Sequence, residues 1–172
     1  MYLGHIPVLT KKILDFAPES AQTILDCTLG GGGHSQLLLE KFPKAKFFGI
    51  DRDSCSLKAA KIRLKPFSKK ITLNQATFSE LSECFFRWGD PLFDYILADI
   101  GVSSEQLLQP LRGFSFSHDG PLDMRMDQDR QSLTAEHLVN NSSEQDLLYI
   151  LRYYGEERFA RKIVSAIVSR RK

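Results

Sequence analysis

Four consecutive glycines, Gly30 to Gly33, stand between an apolar run that begins at Ile24 and the pair His34-Ser35, which opens a helical stretch. Strand, glycine turn and helix in that order let a backbone approach a ligand closely, because no Cβ stands in the way. A second apolar run, Phe47 to Ile50, ends in Asp51. The carboxylate falls about 20 residues after the turn, where nucleotide-binding α/β domains hold ribose hydroxyls. A further run, Phe93 to Ala98, ends in another carboxylate, Asp99. The glycines do not satisfy GxGxxG, since Ser35 stands at the third glycine position, and no Walker lysine follows, which disfavours a P-loop nucleotidase. His34 is open to three readings: ligand, base or backbone-bonded structural residue. Asp51 and Asp99 have strand-capping and turn-forming readings beside the functional ones.

These residues need a scaffold that brings strand ends together. Pro7 precedes a short helix over Val8–Phe16. Strand one is expected over Ile24–Leu29, strand two over Lys46–Asp51, strand three over Ile71–Gln75 and strand four over Phe93–Asp99. A helix from Asp53 or Ser54 to Leu64, with Leu57, Ala60, Ile62 and Leu64 as packing positions, ends before Pro66. Phe78–Trp88 has near-helical spacing. Alternating strands and helices predict an α/β domain with a mainly parallel sheet, whose ligand lies at the carboxyl ends of the strands. Gly30–Ser35, Asp51, Gln75–Phe78 and Asp99 then converge on one crevice.

The chain of 172 residues is long enough for one ordinary core and a small second module. A net charge of +2 is too small to establish a nucleic-acid partner by itself. Cys27, Cys55 and Cys84 are odd in number and lack metal-type spacing, so a reduced compartment and no metal are expected. With no membrane-spanning run and no secretory h-region, a cytoplasmic protein without membrane contact is the expectation.

From Ile100 to Asp129 neither helical nor strand periodicity is visible, and Gly, Pro, Ser and Asp are frequent. A loop of that length is functional or disordered as a rule. Phe114, Phe116, Leu122, Met124 and Met126 argue against disorder. Helical pattern returns at Leu133–Val139. Ser143 to Asp146 reads as a capping box opening a helix that ends near Gly155. Glu156–Lys172 follows as an amphipathic helix with Phe159, Ile163, Ala166 and Ile167 on one face and Arg158, Arg161, Lys162, Arg170 and Arg171 as cations.

Several segments in order carry a family resemblance: His5-Ile-Pro-Val-Leu9, Thr28-Leu-Gly-Gly-Gly-Gly-His-Ser35, Ile50-Asp-Arg-Asp53, Asp99-Ile-Gly-Val-Ser-Ser104, Arg112-Gly-Phe-Ser-Phe116, Asp119-Gly-Pro-Leu-Asp-Met-Arg-Met-Asp127 and Tyr154-Gly-Glu-Glu-Arg158. Together they resemble the MraW/RsmH family, S-adenosylmethionine-dependent methyltransferases acting on cytosine N4 in small-subunit (16S) ribosomal RNA at the decoding centre. The resemblance implies a Rossmann-like α/β methyltransferase domain of class I, interrupted by a mostly helical insert that helps hold RNA. Residues 1–104 would be the first part of that domain, and residues 105–172 the start of the insert. It implies a cofactor set of Gly32, Gly33, His34, Asp51, Phe78, Asp99 and Gln106, an RNA partner within the small ribosomal subunit, and leaves a homodimer open. It also implies a longer enzyme, of which 172 residues would be a piece, inactive alone, with strand four at a sheet edge.

The chemistry agrees with the residues. Methyl transfer to an exocyclic amine needs placement and a proton acceptor rather than a cysteine nucleophile. Asp99 is the candidate catalytic group, with a purely cofactor-binding role as its alternative. Ile100-Gly101 after Asp99 departs from the Pro-Pro-aromatic motif of many amino-methyltransferases. An unstacked nucleotide must be held, for which Arg112, Phe114 and Phe116 offer phosphate contact and stacking, or else a loop packing its own aromatics. Two other functions stay open: a non-catalytic RNA-binding or assembly protein on the same scaffold, and an NAD-dependent oxidoreductase suggested by the glycine turn with Asp51.

Overall fold

The computed structural model describes residues 7–171. His5 and Ile6, part of the first motif, lie outside them. The chain divides into two compact units, Met1–Ser103 and Ser104–Lys172.

The first unit is a four-stranded parallel sheet of order β3-β2-β1-β4, with β1 at Thr23–Asp26, β2 at Lys46–Asp51, β3 at Ile71–Gln75 and β4 at Tyr95–Leu97. Period-two alternation splits β1 and β2 between two cores. Ile24 and its register partner Phe47 face one layer with Leu29 and Leu97, against Leu38 and Leu39 of α2 (Gly33–Lys41) and Leu57 and Ala60 of α3 (Ser54–Arg63). Ile13 and Leu14 of α1 (Thr10–Phe16) pack on that layer. Leu25 and its partner Phe48 face the other layer with Ile50 and Cys84 of α4 (Leu81–Trp88), where Phe48 meets the rings of Trp88 and Phe93. A sheet covered on both faces explains why the strands read as continuous apolar runs.

Strand one stops at Asp26 rather than running to Leu29, because the chain turns there toward the glycines. Strand four pairs only over Tyr95–Leu97. At its start the Asp94 carboxylate accepts the amides of Gln22 (2.8 Å) and Thr23 (2.9 Å), which fixes its register against β1 and holds the carboxyl below its usual range. The expected packing position Ile62 is 77% exposed. The buried stripe of α3 runs through Ser56, Leu57 and Ala60 to Leu64, and Ile62 falls on the opposite side.

In the second unit the stretch read as loop contains α5 (Ser104–Leu108) and a 3₁₀ turn at Pro110–Arg112. A helix of so few residues leaves no periodic signature. What orders the rest is polar. Buried Arg112 donates from Nη2 to the carbonyls of Arg125 (3.1 Å) and Met126 (2.8 Å). Arg125 forms a fork on Asp123, Nε to Oδ1 at 2.9 Å and Nη2 to Oδ2 at 2.8 Å, and this hydrogen bonding holds the Asp123 carboxyl far below its usual range. Gly113 has φ +75°, and a Cβ there would stand 2.5 Å from the Pro121 carbonyl oxygen.

Helix α6 (Ala135–Asn141) is capped by Thr134, whose hydroxyl accepts the His137 amide, and α7 (Glu144–Tyr149) by Ser143, which accepts the Asp146 amide. A π-helical turn, Ile150–Tyr154, extends α7. Helix α8 is shorter than expected, Ala160–Arg170, because Glu156 adopts φ +49° and the Glu157 carboxylate accepts the Phe159 amide as a turn. Its buried positions are Ala160 and Val164, whereas Phe159 is 63% exposed. Arg171 donates to the carbonyls of Ser142 (2.6 Å) and Val139 (3.4 Å), so this cation closes the end of α6.

Candidate active site

The carboxyl ends of β1, β2 and β4 carry a connected set of polar groups. Gly30 and Gly32 have φ of +51° and +79°, a region open to glycine at no steric cost. Gly33 opens α2, and a Cβ on it would stand 2.5 Å from Pro7 Cγ. The turn therefore uses three of its glycines for stated reasons, two for backbone hand and one for close approach. Helix α2 begins directly after this turn, and the dipole at a helix N-terminus favours negative charge.

Asp51 closes β2 beside this turn. Its Oδ2 accepts the Gly30 amide at 2.7 Å and its Oδ1 accepts the Asp53 amide at 2.8 Å. Each oxygen keeps a second lone pair for an outside donor. Burial raises the Asp51 carboxyl above its ordinary value, against the lowering effect of the two amides.

Asp26, at the end of β1, is 1% exposed. Its Oδ2 accepts the Ser35 hydroxyl at 2.6 Å, and its Oδ1 accepts the Thr28 amide at 3.0 Å and the Thr28 hydroxyl at 3.4 Å. Burial pushes its pKa up, with the Ser35 and Thr28 hydrogen bonds working against that rise. The Thr28 hydroxyl oxygen in turn accepts the Asp99 amide at 2.7 Å. One buried carboxylate thus ties the start of α2, the glycine turn and the end of β4 together.

His34 is buried, and its Nε2 lies 2.8 Å from the Val8 carbonyl oxygen, an acceptor only, which puts a proton on Nε2. Its Nδ1 lies 3.9 Å from Asp99 Oδ2. The Asp99 side chain is 47% exposed. Phe78 sits in a 3₁₀ turn after β3 that a reciprocal cap between Thr77 and Glu80 holds, with the Thr77 amide 2.7 Å from Glu80 Oε2. Its ring is 50% exposed, a flat apolar surface offered at the carboxyl edge of the sheet.

Of the residues singled out in the sequence, Gly32, Gly33, His34, Asp51, Phe78 and Asp99 all lie at strand ends of the first unit. Gln106, on α5, and Arg112, Phe114 and Phe116 belong to the second. There Gln106 and Arg112 are buried, Phe114 is half-buried and Phe116 is fully exposed. The Arg112 donors that reach Arg125 and Met126 serve the framework of its own loop.

The profile of the MraW methylase family matches residues 2–172. The chain belongs to the MraW methylase family. It is similar to ribosomal RNA small subunit methyltransferase H of Cyanothece sp., 49% identical over 170 residues that cover 97% of this chain and 55% of that protein. The protein of the same name from Salinispora tropica is 44% identical over 176 residues, covering 98% of this chain and 47% of its own. The chain spans about half the length of the curated relatives it matches. Among solved structures, an rRNA methylase from Streptococcus thermophilus is 15% identical over 49% of this chain and 50% of that one, with a TM-score of 0.36, too slight a likeness to bear on function.

Within this MraW-family site, sequence reasoning passed over Asp26 and Thr28. The signal was present: Asp26 is a carboxylate inside an otherwise apolar run, Ile24-Leu-Asp-Cys27, immediately before the glycine turn. A buried charge in a strand requires partners, and Ser35, nine residues on, is one of them.

Proposed function

We propose that this chain carries the cofactor-binding part of an S-adenosylmethionine-dependent methyltransferase that modifies N4 of a cytidine in the decoding centre of 16S ribosomal RNA, in the cytoplasm. The observation that carries the reading is the Asp51–Gly30 hydrogen bond, which joins a strand-end carboxylate to a glycine turn in a member of the MraW methylase family.

The residues present fit such a cofactor. The free lone pairs of Asp51 suit the two hydroxyls of a ribose, the half-exposed Phe78 ring suits an adenine face, and Gly32, Gly33 and His34 at the helix start suit the methionine end. Bound S-adenosylmethionine supplies a methyl group activated on a sulfonium. Gly30 and Asp53 hold the Asp51 carboxylate fixed before any ligand arrives, so little ordering entropy opposes binding. Asp99, anchored by its own amide to Thr28, leaves its carboxylate free to face an incoming amine, orient it and receive its proton. Asp26 keeps that anchor and the helix start in one register.

The test is transfer of tritiated methyl from S-adenosylmethionine to small ribosomal subunits, followed by nucleoside analysis. Label in N4-methylcytidine supports the reading, and label in another nucleoside overturns its specificity. Cofactor binding with no transfer favours a non-catalytic RNA-binding role, and a thermal shift with NAD but not with S-adenosylmethionine favours an oxidoreductase.

A further inference from the structure

The second unit gathers three tyrosines on its surface. Tyr149 and Tyr153 stack with ring centroids 5.1 Å apart and planes 11° apart. Tyr154 stands edge-on to both, 5.6 Å from each. The three are 52, 70 and 73% exposed. Their convergence has a backbone cause. In a regular α-helix, neighbours 153 and 154 diverge around the axis, and 149 and 154 lie on different faces. The π turn over Ile150–Tyr154, in which the Gly155 amide bonds to the Ile150 carbonyl, widens the helix and brings all three to one side. A π turn has poorer hydrogen-bond geometry than the α-helix it replaces. Here that arrangement is not repaid by burial, because the rings remain in solvent.

The segment that carries Tyr153 and Tyr154 is basic. Residues 150–172 hold seven lysines and arginines against two glutamates. Of those glutamates, Glu157 is spent on the Phe159 amide. Arg152, Arg158, Arg161 and Lys162 are exposed, and Lys162 lies over the exposed Phe159 ring at 5.8 Å. Exposed π faces interleaved with cations suit a chain of flat bases joined by phosphates. An apolar protein surface would use the rings but not the charge, and a duplex would use the charge but not the rings.

We propose that Tyr149, Tyr153 and Tyr154, with the exposed cations Arg152, Arg158, Arg161 and Lys162, form a stacking platform for unpaired RNA. The proposal rests on the ribosomal RNA reading and goes beyond it: it assigns the grip on single-stranded RNA to this platform rather than to Arg112, Phe114 and Phe116. Tyrosine rings take the bases, and Arg158, Arg161 and Lys162 follow the phosphates.

The test is fluorescence anisotropy of a fluorescein-labelled, unstructured ten-nucleotide RNA, and of its duplex, titrated with the 172-residue chain and its variants at low salt. Tyr153→Phe keeps the π face and should bind like wild type. Tyr153→Leu keeps apolar area but not the π face and should bind the single strand roughly five- to a hundredfold more weakly, with little change for the duplex. Arg158→Gln with Lys162→Gln should lower the steepness of the salt dependence. Equal single-strand affinity for wild type and Tyr153→Leu, or loss in Tyr153→Phe with unchanged circular dichroism, overturns the platform. S-adenosylmethionine affinity, measured on the same variants, separates the two ideas. Its absence in wild type with tyrosine-dependent RNA binding defeats the methyltransferase reading alone, and its retention in Tyr153→Leu with unchanged RNA binding defeats the platform alone.

Discussion

The amide of Gly30 donates to Asp51 Oδ2 across 2.7 Å, joining the glycine turn that follows β1 to the end of β2. The two residues are 21 apart in sequence and meet because β1 and β2 are parallel neighbours, so their carboxyl ends share an edge. The bond does two things at once. It fixes the start of the glycine turn, and it holds in place a carboxylate whose oxygens each keep a lone pair for a further donor.

That carboxylate makes cofactor affinity depend on pH. Asp51 has its pKa raised by burial, and only the ionised form accepts hydrogen bonds from two hydroxyls. Affinity for S-adenosylmethionine should be full well above the raised value and fall as pH drops through it, beginning above the ordinary carboxylate value of about 4. Stability of the free chain has the opposite sign. Asp26 and Asp51, both raised, bind more protons folded than unfolded, so stability falls as pH rises from about 4 through their folded values. Calorimetric titrations and melts across that range check both slopes, and Asp51→Asn should flatten the first.

Asp99→Asn should slow methyl transfer more than Gln106→Ala does. Asp99 presents a half-exposed carboxylate at the end of β4, whereas Gln106 is assigned to the cofactor alone. Single-turnover rates at saturating cofactor give the comparison. Equal rates for wild type and Asp99→Asn remove any catalytic role for the charge.

Gly113→Ala should loosen the loop that follows α5 while leaving the sheet intact. The φ of +75° is strained for alanine, and its Cβ would meet the Pro121 carbonyl oxygen at 2.5 Å and the Asp123 amide nitrogen at 2.7 Å. Overpacking of this kind costs about 1–3 kcal/mol. Limited proteolysis should nick the variant within residues 110–131 much faster than wild type. An unchanged cleavage pattern would contradict the packing described.

The three thiols should react unequally. Burial pushes Cys27 up to about 11, helped by the neighbouring Asp26, and raises buried Cys84 as well, whereas Cys55 is exposed. A disulfide reagent at neutral pH should modify one thiol rapidly in the native chain and all three after denaturation. Rapid native reaction at Cys27 would mean that β1 is more open than it stands here.

How far the sequence could be read depended on which force placed each residue. Lys46–Asp51 was legible to the residue, since an apolar run buried on both faces stops where a polar turn begins, and Ile71–Gln75, an edge strand with Ile71 and Leu73 on the core side, also kept its expected bounds. Asp51 was legible for the same reason, standing at a strand end at a known distance from the turn. Ile62 and Phe159 were misassigned because hydrophobicity marks a candidate for burial while the helix face decides it: Leu57, Ala60 and Leu64, expected beside Ile62, are buried, and Val164 rather than Phe159 lies on the buried face of α8. Asp26 was marked only as a charge inside an apolar run, and its link through Thr28 to Asp99 needs the fold to be seen. The polar lock of Arg112, Asp123 and Arg125 has no periodic pattern, so it read as loop.

The most direct test is a calorimetric comparison of S-adenosylhomocysteine with its 2′,3′-dideoxyribose analogue on wild type and Asp51→Ala. Hydrogen bonds to a charged acceptor contribute roughly 1.5–3 kcal/mol each. Wild type should therefore prefer the natural ribose by about tenfold or more, while Asp51→Ala, weakened to a similar degree, should no longer distinguish the two ligands. An Asp51→Ala protein that keeps both its affinity and its preference for the hydroxyls would contradict the assignment of this carboxylate to the ribose.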